Sequence, residues 1–432
     1  MKNFLAGIAN AGRELLGLPG GQASAAAFAE MSRALLKLKG EASAIALADT
    51  FHTTYAALEP EQRREFFRML LSHLEPDTEA VEAAIADWHA SPSPETLLRL
   101  NQASESSRRE LIRALNVAPG GTEALLHMRT DLLDELAVDP ALATINDDFS
   151  YVFQSWFNRG FLSLEKIDWQ TPAFILEKLI AYEAVHEIHG WDDLRRRLAD
   201  DRRCFAFFHP ALPDEPLIFV QVALVKGLAG NISDLLAPPN LDQPLADTAV
   251  FYSISNCQRG LTGVSFGNFL IKQVVDMLAV ELPSLKTYAT LSPLPGFSRW
   301  LRGFLADADT GDALLSASAR DELQLLDSSE WMADETASKV LEPILRRLAA
   351  HYLIHAKRGA EPLDAVARFH LRNGARLERI NWLADVSDNG LRQSFGVMVN
   401  YVYERKTVLA NHEAFVNRGD IAASSALRKL AG

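Results

Sequence analysis

The sequence predicts an α+β protein, with an all-α helical bundle over residues 1–150 followed by a mixed α/β domain over residues 151–432. Two observations predict this fold class. The first 145 residues are rich in Ala, Leu, Glu and Arg and poor in β-branched residues, which favours helices throughout. From Arg203 onward, runs rich in Val, Ile, Phe and Tyr lie among helical segments, which is typical of a mixed α/β domain.

Composition limits the classes of partner. Hydrophobic residues make up 48% of the 432 residues and the formal net charge is −13, so we expect neither nucleic-acid nor membrane binding. Any anionic ligand must then be held by a local site. The two cysteines, Cys204 and Cys257, lie in apolar strand-like runs and are predicted to be reduced and buried. Because the first residues also lack a signal-peptide core, we expect a cytoplasmic protein.

The helical region shows clear start and stop signals. Ser93 precedes Pro94, a capping residue followed by proline at the first helical position. Another helix is predicted to open at Glu61, and Thr122 is predicted to cap a helix over 123–136. The region contains no His/Cys cluster, glycine loop or convergent carboxylates, so it is predicted to serve packing or oligomerisation in a homo-oligomer, a dimer or tetramer.

The second region alternates between the two kinds of element. Strands are predicted at 204–208, 217–225, 249–255, 285–291, 377–386 and 395–403. Helices are predicted at 266–281, 297–305, 336–355 and 362–371, and Thr171-Pro172 is predicted to begin another that runs to about Glu187.

A glycine-rich stretch joins the third predicted strand to a helix. Glycines stand at 260, 263 and 267, where backbone N–H groups at a helix N-terminus could bind a phosphate or pyrophosphate. The stretch matches neither the Walker A loop nor the dinucleotide fingerprint. A plain glycine-rich turn explains the spacing equally well.

Two further residues are candidates for chemistry. Ser292 follows the strand 285–291 at its carboxyl end, where open α/β sheets place ligands, although a turn serine is the favoured interpretation in isolation. His370 is predicted in the last turn of a helix that ends at Asn373-Gly374. The helix dipole favours its charged form and burial opposes it, so we expect His370 to titrate near neutrality and to serve as a proton donor. Alone, a histidine that only satisfies the last helix carbonyls is the better explanation.

Two histidine pairs are candidate metal ligands. His351 and His355 are four residues apart, and His186 and His189 are three apart. Neither pair has a cysteine or a paired carboxylate in metal-ligand register, so no metal site is predicted.

Several segments in order resemble the malonyl-CoA decarboxylase family, over roughly residues 150–405. They include Phe251–Ser255, Gly263–Lys272, Leu291–Phe297, Phe369–Ala375 and Arg379–Ser387. The resemblance implies a helical N-terminal domain, a GNAT-like acyl-CoA domain, and conversion of malonyl-CoA to acetyl-CoA and carbon dioxide.

The resemblance also implies site residues. The family's serine, histidine and tyrosine fall on Ser292, His370 and Tyr403. Its CoA-binding loop falls on Thr262, Gly263, Val264, Ser265, Phe266, Gly267 and Asn268. Relatives can carry Glu where this chain has Ser265, so no carboxylate role is assigned to that position.

The implied chemistry needs no cofactor. Loss of carbon dioxide leaves electrons on C2, and the thioester oxygen accepts them as an enolate, for which glycine-loop N–H groups could supply donors. His370 is expected to act as general acid, Ser292 as a hydrogen-bond partner, and Tyr403 as an orienting group. Whether Ser292 or His370 gives the final proton stays open. The alternatives are an acyl-CoA-dependent acetyltransferase of the GNAT fold and a non-catalytic acyl-CoA sensor.

Overall fold

The computed structural model describes residues 24–238, 246–264, 270–306, 314–328 and 331–432. These residues form two compact units. The first comprises the described residues up to Ser163 with the short segments 208–215 and 258–264, and the second comprises the remainder. The predicted domain boundary at residue 150 lies inside a helix, Ala143–Trp156.

Eight described α-helices build the first unit. They are α1 (Ala25–Lys37), α2 (Glu41–Ala56), α3 (Pro60–His73), α4 (Thr78–Ala90), α5 (Pro94–Ser104), α6 (Ser107–Leu115), α7 (Gly121–Glu135) and α8 (Ala143–Trp156). The predicted start at Ser93 is confirmed, because its hydroxyl accepts the N–H of Thr96 at 3.2 Å. The start predicted near Glu61 is confirmed as α3.

The predicted cap at Thr122 is wrong. Helix α7 begins at Gly121, and Gly120 is its N-cap, with a left-handed φ of 74°. The Thr122 hydroxyl donates instead to the side chain of Asn116 at 2.8 Å. A glycine in the left-handed conformation therefore starts this helix without a side-chain cap.

Aromatic rings form the core of the first unit. Phe28, Phe51 and Phe66 meet edge to face with centroids 4.9 to 5.9 Å apart. By contrast, the hairpin of α4 and α5 buries only Ala84 and Thr96 along its two helices. The hairpin therefore contributes little to this core.

Eight described strands of the second unit form one mixed sheet. They are β1 (Ser163–Ile167), β2 (Arg202–Phe208), β3 (Ile218–Val225), β4 (Thr248–Asn256), β5 (Thr287–Thr290), β6 (Ser292–Pro293), β9 (Arg376–Asn381) and β10 (Met398–Val402). The order is β1-β2-β3-β4-β5-β10-β6, with β9 also paired to β10. A separate hairpin pairs β7 (Lys357–Arg358) with β8 (Glu361–Pro362).

Helices flank the strands along the chain. They are α9 (Ala173–Tyr182), α10 (Trp191–Arg197), α11 (Ile232–Leu236), α12 (Leu270–Glu281), α13 (Phe297–Ala306), α14 (Ala317–Glu322), α15 (Glu335–Ile354), α16 (Ala365–Arg372), α17 (Asp388–Ser394), α18 (Val408–Arg418) and α19 (Ser425–Ala431). The predicted α+β class, with an all-α region before a mixed α/β domain, is confirmed. The GNAT-like character of that domain stays a prediction.

The predicted elements of the second region are present, most of them with shifted ends, and the predicted start of the helix 266–281 lies outside the described residues. Four strands were missed, which include both strands of the β7–β8 hairpin. Helix α9 ends at Tyr182, short of the predicted Glu187, because the Glu183 carboxylate accepts the N–H groups of Val185 and His186 and turns the chain. Strands β1 and β6 were not predicted. Strand β6 is only two residues long, too short to show an alternating pattern.

Strands β4 and β5 are parallel, and they diverge after four residue pairs. They pair from Thr248 to Phe251, and the N–H of Leu291 donates to the Phe251 carbonyl at 3.0 Å. Strand β4 then continues to Asn256, whereas the chain after Leu291 turns so that Ser292 pairs with Val399 of β10. This divergence opens a cleft beside the last residues of β4.

Within the part of the chain that the structure describes, no helix is long and apolar enough to cross a membrane.

Candidate active site

The cleft where β4 and β5 diverge has a volume of about 260 Å³. Its polar side chains include Ser292, His370, Ser253 and Asn256. No Lys or Arg is among the described residues that line it. The apolar lining residues are Val185, Phe207, Ile218, Val220, Phe251, Ile254, Leu270, Ile271, Leu291, Pro293, Ala365, Val366 and Phe369.

Strand β6 and the turn after it hold Ser292. The strand pairs with β10 through Ser292 and Val399, and Ser292 is buried. Two prolines, 293 and 295, restrict the following backbone. A side chain at Gly296 would clash with the Tyr352 hydroxyl, so the close approach of that ring requires glycine.

Helix α16 carries His370 into the cleft. The carboxylate of Asp364 caps this helix and accepts the N–H of Ala367 at 2.8 Å. The helix ends in a turn at Gly374, which has a φ of 80° and lies so close to the Val408 carbonyl that no side chain fits. The imidazole of His370 is buried and stacks on Tyr401 with ring centroids 4.4 Å apart.

A chain of hydrogen bonds joins the three side chains that the resemblance implied. The Tyr403 hydroxyl lies 2.8 Å from Nδ1 of His370, and Nε2 lies 3.0 Å from Oγ of Ser292. Ser292 donates in turn to Oγ1 of Thr290 at 2.9 Å. Because the Ser292 proton is given to Thr290, Nε2–H donates to Ser292 and Nδ1 accepts from Tyr403. The surrounding bonds thus assign the Nε2–H tautomer.

Burial keeps His370 neutral. With its imidazole removed from water, the pKa of His370 falls from 6.5 to about 3. Burial also raises the pKa of Tyr403 well above its usual value, so its hydroxyl stays protonated. The predicted titration of His370 near neutrality is therefore wrong, because desolvation outweighs the helix dipole.

The alternative interpretation of His370 as a helix cap is also wrong. The carbonyls of Phe369, His370 and Leu371 accept backbone N–H groups of the following turn, at 2.9 to 3.1 Å. The imidazole nitrogens are both engaged by Ser292 and Tyr403 instead. The ring is directed into the cleft.

Sequence reasoning missed Thr290 and Tyr401. Thr290 is fully buried and its Oγ1 also accepts the N–H of Tyr401 at 3.2 Å, which fixes the acceptor of the Ser292 proton. The spacing of Thr290 and Ser292, two residues apart on an extended chain, was the available signal, because such residues share a face. The stacking of Tyr401 on His370 had no local signal.

The glycine loop is described in part. Thr262, Gly263 and Val264 are described, whereas the predicted CoA-binding residues Ser265, Phe266, Gly267 and Asn268 lie outside the described residues. The N–H of Val264 donates to the Leu261 carbonyl at 3.0 Å, Thr262 has φ −55° and ψ 127°, and Gly263 has a φ of 78°. These dihedrals define a type II turn, which needs glycine at its third position.

Helix α7 of the same unit holds this loop in place, an arrangement that sequence reasoning also missed. The guanidinium of Arg129 donates to the carbonyls of Gly260 at 2.6 Å and Thr262 at 2.9 Å. Gly260 packs so closely on the Leu126 carbonyl that a side chain there would clash. Arg259 forms an ion pair with Asp134.

The remaining candidate residues are histidines and cysteines. Among the described residues, no group of three His, Cys, Asp or Glu side chains could hold a metal ion. The rings of His351 and His355 lie 4.8 Å apart between centroids. Cys204 and Cys257 are both buried and form no disulfide with a described residue, as predicted.

Comparisons with known proteins agree with one another. Residues 160–431 match the family model "Malonyl-CoA decarboxylase C-terminal domain", and residues 74–157 match the corresponding N-terminal domain. The mitochondrial malonyl-CoA decarboxylase of Anser anser anser is 39% identical over 340 residues, 73% of this chain and 68% of that protein. The mitochondrial enzyme of Mus musculus is 36% identical over 356 residues, 77% of this chain and 72% of that protein.

Solved structures are more similar still. The crystal structure of malonyl-CoA decarboxylase from Rhodopseudomonas palustris has a TM-score of 0.90 and 51% identity, and it covers 94% of this chain and 99% of its own. The corresponding structure from Agrobacterium vitis has a TM-score of 0.88 and 47% identity with the same coverage.

Proposed function

Because the chain belongs to the malonyl-CoA decarboxylase family, we propose that it converts malonyl-CoA to acetyl-CoA and carbon dioxide in the cleft lined by Ser292 and His370. One observation carries this assignment of the site. A neutral, buried chain of hydrogen bonds from Tyr403 through His370 to Ser292 opens on an apolar cleft whose described lining contains no cation.

The apolar lining favours loss of the carboxylate. A malonyl carboxylate in this cleft would exchange water for side chains such as Phe251 and Leu291, and no described Lys or Arg of the lining would compensate its charge. Decarboxylation disperses that charge onto the thioester oxygen and releases neutral carbon dioxide. The site therefore disfavours the ground state more than the enolate-like transition state.

The enolate then needs a donor at oxygen and a proton at C2. Strand β4 borders the cleft beyond Phe251, where β5 no longer pairs with it, so backbone N–H groups at this edge can donate to the thioester oxygen. Ser292 gives its proton to C2, and His370 stabilises the resulting oxygen by donating Nε2–H to it. Tyr403 holds the tautomer that makes this donation possible, and water restores the proton.

The glycine loop is proposed to bind the pyrophosphate of CoA. This assignment to Thr262, Gly263 and Val264, and to residues 265–268, follows the family resemblance. The left-handed Gly263 of the described turn supports it, because such turns can direct N–H groups toward an anion. The reaction requires no metal, Schiff base or biotin, so we expect activity to survive exhaustive chelation and treatment with avidin.

We further propose a cytoplasmic homo-oligomer. The two buried cysteines, neither of which forms a disulfide with a described residue, support a reducing compartment. The hairpin of α4 and α5 supports an interface, because Leu97 and Leu98 are 51% and 56% exposed on it. Leu97→Asp with Leu98→Asp should lower the mass measured by light scattering, whereas Asn101→Asp should not. A wild-type monomer at working concentration would contradict the proposal.

The experiment that tests the function uses pure protein and malonyl-CoA alone. We expect acetyl-CoA and carbon dioxide in equal amounts without any added acceptor. An acetyltransferase would need an acceptor amine to release CoA, and a sensor would bind without turnover. Absence of acetyl-CoA would contradict the proposed function.

A further inference from the structure

Arg129 of helix α7 is among the most deeply buried side chains of the protein, with 1% of its surface exposed. All of its described hydrogen-bond partners are neutral. They are the carbonyls of Gly260 and Thr262, the side-chain oxygen of Asn146 and the hydroxyl of Ser150. A buried cation with no carboxylate partner costs free energy, so a functional reason for it is expected.

The Arg129 guanidinium remains charged in this environment. Burial lowers its pKa from 12.5 to about 10, which leaves it protonated at neutral pH. Arg108 of the same unit is buried to a similar degree but donates to the carboxylate of Asp148 at 2.7 Å. The first unit therefore contains a buried arginine that is paired with a carboxylate. Arg129, which is also buried, donates to backbone carbonyls of the glycine loop instead.

The contact with Thr262 determines which way the next N–H group points. A trans peptide places its carbonyl oxygen and the following N–H on opposite sides. Because Arg129 holds the Thr262 carbonyl at 2.9 Å, the N–H of Gly263 is directed away from the guanidinium. Gly263 is exposed, and no described residue accepts a hydrogen bond from its N–H.

The same contact selects the turn type. Types I and II differ by a flip of the central peptide, here the peptide between Thr262 and Gly263. Type II requires a positive φ at Gly263, and the observed value is 78°. A flip to type I would break the bond from Arg129 to Thr262 and would reverse the Gly263 N–H.

We propose that Arg129 is a positioning residue for phosphate recognition, which locks the turn at Thr262 and Gly263 so that the Gly263 N–H faces the pyrophosphate of a CoA thioester. The inference rests on the proposed function, because it deepens the assignment of the glycine loop. The α7 helix then has a role in substrate binding in addition to packing. The Leu126 contact with Gly260 and the ion pair of Asp134 with Arg259 support the same segment from the same helix.

The test separates the phosphate-bearing part of the substrate from the reacting part. Malonyl-pantetheine carries the same thioester but lacks the pyrophosphate. For Arg129→Met we expect the KM for malonyl-CoA to rise roughly tenfold with little change in kcat, because one well-placed hydrogen bond to an anion is lost. The kinetic constants for malonyl-pantetheine should not change. Titration with CoA alone should show the same loss of affinity.

Two further variants keep the test decisive if Arg129→Met folds poorly. Arg129→Lys retains a buried cation that can reach one carbonyl, and it should restore part of the affinity for CoA. Gly263→Ala leaves Arg129 intact but strains the type II turn, although space for the methyl group is open, and it should reproduce the rise in KM. Arg63→Met is the control. It removes a 2.9 Å contact to Asp131, which lies on α7 as Arg129 does, and it should change neither KM nor kcat.

The outcomes are distinct. Equal losses for malonyl-CoA and malonyl-pantetheine, or unchanged affinity for CoA in Arg129→Met and Gly263→Ala, would overturn the inference and leave the decarboxylase assignment standing. Failure of the wild type to form acetyl-CoA would overturn the proposed function, and the CoA titrations would still decide the role of Arg129.

Discussion

His370 in the second unit and Arg129 in the first are both buried basic side chains, and burial lowers the pKa of each. At neutral pH, however, His370 is uncharged and Arg129 is charged. Burial moves the pKa of His370 from 6.5 to about 3 and that of Arg129 from 12.5 to about 10. The pKa of His370 therefore lies far below neutral pH, whereas that of Arg129 stays far above it. The cleft therefore stays uncharged, which suits loss of a carboxylate, whereas the glycine loop keeps a buried cation behind it, which suits an anion.

The hydrogen-bond partners of His370 and Arg129 fit this difference in charge. His370 is both donor and acceptor in its neutral form and links Ser292 to Tyr403. Arg129 has only donors, and each of its described hydrogen-bond partners accepts through an oxygen. Substitutions at the two positions should accordingly change different kinetic constants.

The largest expected effect is on turnover at His370. Replacing His370 with Asn keeps a polar group of similar shape but removes the Nε2–H donor to Ser292, so turnover should fall roughly 10²–10⁴-fold with CoA affinity little changed. Single-turnover decarboxylation measures the effect. Near wild-type rates in His370→Asn would show that turnover does not depend on the Nε2–H donor to Ser292.

Ser292→Ala should lower turnover by a similar factor, because it removes the hydroxyl that faces the substrate. The double variant with His370→Asn should lose far less than the product of the two single losses, since residues that act as a unit are not additive. Independent, multiplicative losses in single-turnover measurements would show that the two side chains do not act together.

A smaller effect is expected at Tyr403. Tyr403→Phe removes the donor to Nδ1 of His370 and leaves a buried acceptor unpaired, which costs about 1–3 kcal/mol. We expect turnover to fall about tenfold and the free energy of unfolding to fall with it. Tyr151→Phe, at a tyrosine that is 53% exposed in the first unit, is the control and should change neither. Equal behaviour of the two variants would argue against the hydrogen-bond chain.

The smallest expected difference concerns stability at low pH. His370 has a lower pKa folded than unfolded, so its neutral form stabilises the fold above about pH 6.5, and this contribution is lost as the pH falls toward about 3. Urea titrations should therefore show that wild-type stability declines more steeply over this range than that of His370→Asn. Parallel declines in the two proteins would mean that His370 is not buried in its neutral form.

Local sequence patterns predicted several helix starts and the positions of the candidate site residues along the chain. Ser93 begins a helix because its hydroxyl and the following proline act within one turn. The strand-to-helix glycine loop and the carboxyl-end position of Ser292 are also local patterns. Thr122 was assigned wrongly because a left-handed Gly120 serves as the cap, and sequence does not report φ.

The features that could not be predicted from the sequence depend on contacts between residues far apart in the chain. The pKa of His370 depends on burial by α16 and β10, so no local pattern could fix it. Arg129 meets the carbonyl of Gly260, 131 positions along the chain, and nothing in either segment indicates the other. The family resemblance predicted Ser292, His370 and Tyr403 as site residues, and the structure joins the three in one chain of hydrogen bonds.

We expect His370 to work as a neutral Nε2–H donor and not as an imidazolium. Nitrogen-15 NMR of the labelled protein tests it directly, with the His370 signals assigned by their absence in His370→Asn. We expect the chemical shifts of a neutral imidazole with the proton on Nε2, unchanged between pH 5 and pH 8. Titration of both ring nitrogens with a midpoint near pH 6.5 would contradict the account.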